Sequence, residues 1–221
     1  MKILIFGATG MIGQAVLREA LLDPRVDAVT VVGRAPTRRQ DPKLREIIHA
    51  DMMDIAPVAD DIAGCDACLF CLGISSFHMT EADYARTTHD LTLGVASALA
   101  ARNPDMTFVY VSATGADSTE NGRIMWARVR GRTENDLFRL PFKAVYSVRP
   151  ALIEPMHGVT SRTRYVDTLY RIIRPFVPLI RLLGPNHVCT SEQMGRMMVG
   201  LGKHGGPARV VENRDIAAIV I

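Results

Sequence analysis

Three glycines carry the strongest chemical signal in the chain. They stand in the run Phe6-Gly-Ala-Thr-Gly-Met-Ile-Gly13, directly after the apolar segment Ile3–Phe6 and at the head of an amphipathic one. Each can do a different job. Gly7 permits a tight turn, Gly10 lets the backbone approach a pyrophosphate, and Gly13 lets a helix pack close to a sheet. The backbone through Thr9, Met11 and Ile12 would then turn its N–H groups toward an anion at the helix N-terminus. A glycine triplet alone is a weak signal. Here a strand precedes it, a helix follows, and a second strand completes the unit, which is the context the motif requires. The expected ligand is a dinucleotide.

The next chemical position lies about 20 residues on, at the end of the second strand, where an NAD-binding chain carries Asp or Glu for the ribose 2′-hydroxyl. This chain carries Gly33-Arg34, with Arg38 and Arg39 close behind. A carboxylate would repel a 2′-phosphate, whereas a guanidinium binds it through two hydrogen bonds. NADP is therefore expected before NAD. The alternative is that these arginines only solvate a surface loop.

Other constellations carry less. Cys65, Cys68 and Cys71 form a C-x-x-C-x-x-C run of the kind seen in iron–sulfur ligation. Cys68 and Cys71 fall in a strand pattern, however, where residues three apart point to opposite faces. The remaining thiol, Cys189, is remote, so packing is expected and no metal site. The six histidines show no ligand spacing, and no G-x-S-x-G elbow is present. Arg171, Arg174 and Arg181 share a face of a basic amphipathic stretch, which reads either as a solvated face or as a surface for an acidic partner.

Composition bounds the remaining possibilities. The chain has 221 residues, 48% hydrophobic and 22% charged, which suits one globular domain needing no disulfide or metal staple. Lys and Arg number 26 against 23 Asp and Glu; four are lysines, leaving 22 arginines. Near-balanced charge and 6% aromatics argue against a nucleic-acid surface. There is no run of 18 apolar residues to cross a membrane. Four cysteines without a secretory signal suggest a reduced, cytoplasmic protein.

The elements that must position these residues alternate. Apolar runs at Ile3–Phe6, Ala28–Val32, Glu46–His49, Ala67–Leu72, Thr107–Val111 and Ala144–Val148 suit strands buried on both faces. Helical patterns lie between them at Met11–Leu22, Thr80–Ala101 and Gly122–Leu140. Thr80 with Asp83 and Thr190 with Gln193 fit capping boxes, and Asn103-Pro104 closes the long helix. Residues 151–165 read as a loop. A helix over Tyr165–Leu183, another after Thr190 and a strand at Arg209–Glu212 complete the chain. The expected architecture is α/β, a doubly wound, mainly parallel Rossmann sheet. Residues 1–221 form one domain in this reading, with 151–208 largely a small cap on the substrate side.

The Gly-Ala-Thr-Gly-Met-Ile-Gly loop resembles that of the extended and atypical short-chain dehydrogenases/reductases. With Tyr110-Val-Ser112, Trp126-Ala-Arg-Val-Arg130, Ser147-Val-Arg-Pro150 and Val211-Glu-Asn-Arg-Asp-Ile216, the chain is similar to the Tat-interacting-protein-like, epimerase-like branch along essentially its whole length. The resemblance implies that Asp51 and Met52 lie at the adenine and that Leu72 and Gly73 lie over the adenosine ribose, although ordinary strand-end turns would look the same. It also implies that Ser112 contacts a substrate carbonyl.

The family's Tyr-x-x-x-Lys pair, which supplies a proton and grips the nicotinamide ribose, is replaced by Trp126 and Arg130. An indole N–H is a donor without usable acid–base chemistry. A guanidinium could still hold ribose hydroxyls. Three readings stay open. The chain is an oxidoreductase on a small carbonyl or alcohol with another donor, for which Thr114, Asp117, His157 and Tyr165 are candidates. It is a non-catalytic NADP(H) sensor or scaffold. Or the helix register differs, although Tyr110 and Tyr146 sit in strands and cannot substitute. A nucleotide-sugar epimerase is a further alternative, weakened by Trp126 and the short final segment.

Overall fold

In the computed structural model, residues 1–160 and 184–218 are described. Seven strands form one sheet: β1 (Lys2–Phe6), β2 (Ala28–Gly33), β3 (Leu44–Ile48), β4 (Ala67–Phe70), β5 (Thr107–Val111), β6 (Ala144–Arg149) and, near the end, β9 (Val210–Glu212). Their order is β3-β2-β1-β4-β5-β6-β9, and every pairing is parallel. The chain reverses its direction of travel across the sheet between β1 and β4, so a crevice opens above their carboxyl ends.

Alternation of side chains along these strands feeds two cores. Ile3, Ile5, Leu69 and Val109 pack on one face with α1 (Met11–Leu22) and the methionines Met194 and Met198. Leu4, Phe6, Cys68, Phe70, Phe108 and Tyr110 pack on the other. Burial on both faces is what the unbroken apolar runs of these short strands predict. Cys68 and Cys71 do join opposite faces. No metal-binding cluster of His, Cys, Asp and Glu occurs among the described residues.

The long helical pattern resolves into α2 (Glu81–Ala85), a π-helical turn at Arg86–Asp90, and α3 (Leu91–Arg102), ended at Asn103. The Thr80 hydroxyl accepts from the Asp83 backbone N–H at 3.2 Å. Helix α4 (Met125–Leu137) starts three residues later than its pattern, because Asp117 draws residues 117–122 into a hydrogen-bonded loop, accepting from Thr119 N and Gly122 N. Thr190 and Gln193 form the capping box of α5 (Ser191–His204). A second box, Glu212 with Asp215, starts α6 (Asn213–Ala217).

Further elements differ from the sequence reading. β3 begins at Leu44 rather than Glu46. The stretch read as a loop after Pro150 contains β7 (Leu152–Glu154), paired in parallel with β8 (Val188–Thr190). Three-residue strands are too short to show a period, and their partner is more than 30 residues away. The expected helix over Tyr165–Leu183, with the part of the cap from 161 to 183 and with Arg171, Arg174 and Arg181, lies outside the described residues.

Candidate functional site

The glycine loop is built by close approach. Gly7 has φ of +80°, and a Cβ there would stand 2.8 Å from the backbone of Cys71 and Leu72. A Cβ on Gly13 would stand 2.1 Å from the Gly7 carbonyl oxygen. These two glycines are required by the fold itself. Gly10 is not. Its φ of −78° and ψ of 167° suit any residue, and its Cβ would meet nothing nearer than 3.4 Å. What Gly10 leaves open is the space in front of the α1 N-terminus. Gly10 caps that helix without a side chain, and the first turn carries no acidic residue. The first backbone N–H groups of a helix have no intrahelical partner, so an electropositive, sterically open cradle faces the crevice. The residues present fit a dinucleotide pyrophosphate.

The crevice is a cleft of about 440 Å³. Its lining takes Gly7, Thr9, Gly10, Met11 and Ile12 from the glycine loop and Arg34 from the end of β2. Cys71, Leu72, Gly73 and Ile74 follow β4, Val111 and Ser112 close β5, and Arg130 comes from α4. Residues separated by more than 120 positions thus converge on one wall. Gly13 stands behind the loop. Arg38, at φ +63°, Asp51, Met52 and Trp126 stand outside this lining. Asp51 accepts from Met53 N at 2.9 Å in a local turn. Met52 is 7% exposed and packs into the second core. Arg34 is exposed, and neither a hydrogen bond nor an ion pair ties it to the described residues. The cleft lining contains no carboxylate.

Ser112 and Arg130 meet at the β5 end of the cleft. The Ser112 N–H extends the sheet by donating to Val148 O at 2.8 Å. Its Oγ is buried and has no hydrogen-bond partner among the described residues. A buried hydroxyl left unpaired costs about 1–3 kcal/mol, and here it stands in the cleft wall. Arg130 is fixed from two sides. Nε donates to the Tyr84 hydroxyl at 3.0 Å and Nη1 to Val111 O at 3.2 Å. Nη2 approaches Gly73, lying 3.8 Å from where a Cβ would stand. Burial opposes the Arg130 charge, but Tyr110, Tyr84 and Glu134 together outweigh it and raise the guanidinium pKa. Arg130 is a permanent cation.

Among the described residues the candidate proton donors are otherwise engaged. Trp126, four residues before Arg130 on α4, lies against Gly115, whose Cβ would stand 3.3 Å from the indole. The Thr114 hydroxyl donates to Arg149 O at 2.9 Å. The Thr119 hydroxyl and backbone N–H groups of its own loop hold the Asp117 carboxyl below its usual range. The His157 ring meets Glu192 at 2.7 Å. Tyr165 lies outside the described residues. Burial pushes the Cys71 thiol well up and the Tyr110 phenol up to about 12. Tyr84, which orients Arg130, carried no sequence signal, because the contact joins α2 to α4 across 46 positions.

A family model described as NAD(P)H-binding matches residues 7–139, the span from the glycine loop through α4. Leucinostatins biosynthesis cluster protein T of Purpureocillium lilacinum is 26% identical, over 90% of this chain and 84% of that protein. The mitochondrial protein FMP52 of Debaryomyces hansenii is 27% identical over 69% of this chain and 67% of its own. Among solved structures, the Bordetella bronchiseptica enzyme WbmF in complex with NAD+ superposes with a TM-score of 0.68 at 17% identity, covering 98% of this chain and 76% of that one. No helix of the described residues is long and apolar enough to cross a membrane. The chain belongs to the NAD(P)H-binding family, with the Rossmann fold of the atypical, epimerase-like short-chain dehydrogenases/reductases.

Proposed function

We propose that this protein binds NADP(H) in the cleft and reduces a small carbonyl compound, with Ser112 and Arg130 holding the carbonyl oxygen and ribose. Arg34 favours the phosphorylated cofactor: it is an unengaged guanidinium on a wall without carboxylates. The glycine loop and the α1 N-terminus would hold the pyrophosphate, Leu72 and Gly73 the adenosine ribose, and Asp51 and Met52 the adenine side. Bound there, the reduced nicotinamide supplies a hydride.

The observation that carries the catalytic reading is the orphaned Ser112 Oγ beside the fixed Arg130 charge. Its O–H donates to the substrate oxygen, and the donation strengthens as negative charge develops there. Among the described residues none replaces the missing tyrosine as an acid, so water supplies the proton across the exposed rim formed by Gly73 and Ile74.

Ser112→Ala is expected to slow single-turnover oxidation of NADPH by roughly 100-fold, the loss typical of one such donor. Stability should stay level, since the substitution removes an unpaired buried hydroxyl. In the wild type the rate should be flat from about pH 6 to 9. Arg130, its pKa raised, is charged throughout that window, and Tyr110, pushed up to about 12, is neutral throughout it. A bell-shaped profile would reveal a titrating side chain and contradict the water route. The engaged donors favour one second reading, an NADP(H) sensor, for which tight binding without any hydride transfer is the signature. The carboxylate-free wall disfavours a sugar epimerase.

None of the four cysteines is in a disulfide, which suits a reducing compartment. We place the protein in the cytoplasm; import of the tagged full chain into mitochondria would overturn that placement.

A further inference from the structure

The proposed reduction leaves its substrate unnamed, and one uncompensated charge in the cleft narrows the class. Five arginines among the described residues are partly buried: Arg18, Arg128, Arg130, Arg149 and Arg196. Four of them meet a carboxylate. Arg18 and Arg196 pair with Glu19, Arg128 with Glu81 and Arg149 with Glu134. Arg130 forms no ion pair among the described residues. Its fixed partners, the Tyr84 hydroxyl and the Val111 carbonyl, are neutral. Glu134, one turn further along α4, is fully buried and accepts from Arg149 through both of its oxygens.

A cation taken partly out of water is costly unless an opposite charge meets it. The cleft lining contains no carboxylate to do so, so the opposite charge comes with a ligand. A guanidinium has five N–H donors, and two are spent on Tyr84 and Val111. Of the three that remain, two are on Nη2, which approaches Gly73 in the cleft wall. Three donors serve one ribose hydroxyl and the two oxygens of a carboxylate. In the reading above, the cofactor's phosphates belong to the α1 N-terminus and Arg34, and the nicotinamide ribose beside Arg130 is neutral. The carboxylate is then the substrate's. It must adjoin the carbonyl closely, because Nη1 donates to Val111 O, the residue directly before Ser112 and its orphaned Oγ.

We propose that the substrate is a 2-oxo acid, seated with its carbonyl oxygen at Ser112 and the adjoining carboxylate on Arg130. This rests on the carbonyl-reductase reading of the cleft, and the test separates the two. In the reaction the carbonyl carbon accepts the hydride that NADPH gives up. The C=O π pair moves onto the oxygen, and water gives that oxygen a proton. The products are a 2-hydroxy acid, NADP+ and hydroxide. The intact chain, saturated with NADP+, is titrated calorimetrically with pyruvate and with its neutral amide, pyruvamide. NADPH oxidation by each compound is followed in parallel.

Pyruvate should bind roughly tenfold tighter or better, the gain of a hydrogen bond between charged groups over a neutral one. Arg130→Gln, also saturated with NADP+, should bring the two compounds within about twofold, and Arg130→Lys should keep part of the preference by keeping the charge. The wild-type comparison needs no variant and stands if Arg130→Gln does not fold. Equal wild-type affinities would overturn the proposal. So would an Arg130→Gln chain that loses NADPH affinity and keeps the preference for pyruvate, because the guanidinium would then serve the cofactor's phosphates. Oxidation of NADPH by both compounds with equal affinity would sustain the reductase reading and remove the carboxylate seat. Preferential pyruvate binding without NADPH oxidation would sustain the seat and remove the reductase reading.

Discussion

Gly10→Ala should weaken NADPH binding roughly 100-fold, about 2.8 kcal/mol, in a chain that still folds. Gly13→Ala should damage the fold itself. The two glycines look alike in the sequence and differ in what surrounds them. At Gly10 the backbone is extended and an added methyl meets no protein atom closer than 3.4 Å. The fold loses only a preferred helix N-cap, about 1 kcal/mol. The methyl instead occupies the space in front of the α1 N-terminus, where the pyrophosphate must come within hydrogen-bonding distance of backbone N–H groups. At Gly13 the methyl would stand 2.1 Å from the Gly7 carbonyl oxygen and 2.7 Å from its carbon. Helix α1 would have to lift from the loop, and such overpacking costs about 1–3 kcal/mol or more. Calorimetry with NADPH and urea denaturation read the two effects separately. If Gly10→Ala binds NADPH like the wild type, the pyrophosphate does not sit on this loop.

Arg34→Glu should weaken NADPH by roughly 100-fold and NADH by no more than a few-fold. A guanidinium hydrogen-bonded to a phosphate is worth about 1.5–3 kcal/mol, and the new carboxylate adds repulsion against the same group. NADH presents a neutral hydroxyl there and loses neither. Because Arg34 is exposed, the selectivity should also shrink as salt is raised. Arg38→Glu should have the smaller effect, since Arg38 stands outside the cleft lining. Parallel losses for both cofactors would remove the 2′-phosphate from Arg34.

The legible parts of this protein are those in which a local pattern and a tertiary demand coincide. Ile3–Phe6 followed by Gly7, Gly10 and Gly13 announces a strand, a turn and a helix, and the fold uses all three as written. Ser112 and Arg130 were legible through their places after a strand and on a helix, and both line the cleft. The state of those residues was not legible. That Ser112 Oγ lacks a partner, and that Tyr84 and Val111 lock Arg130, depends on contacts between elements far apart in the chain. The β7–β8 pair was hidden for the same reason. Met52 is a further case: its position after the third strand matches a family pattern, but that its side chain joins the second core with Ile55 and Val32 was not legible. The disposition of Trp126 also needed the structure: its place in the helix register is clear from the sequence, but its contact with Gly115 is not.

The most direct test of the account is a pair of titrations of the unmodified chain, NADPH against NADH, by isothermal calorimetry at physiological salt. The arrangement of Gly10, the α1 N-terminus and Arg34 predicts saturable one-to-one binding of NADPH, at least tenfold tighter than NADH, a difference of about 1.4 kcal/mol. Equal affinity for the two cofactors, or no binding of either, would contradict it.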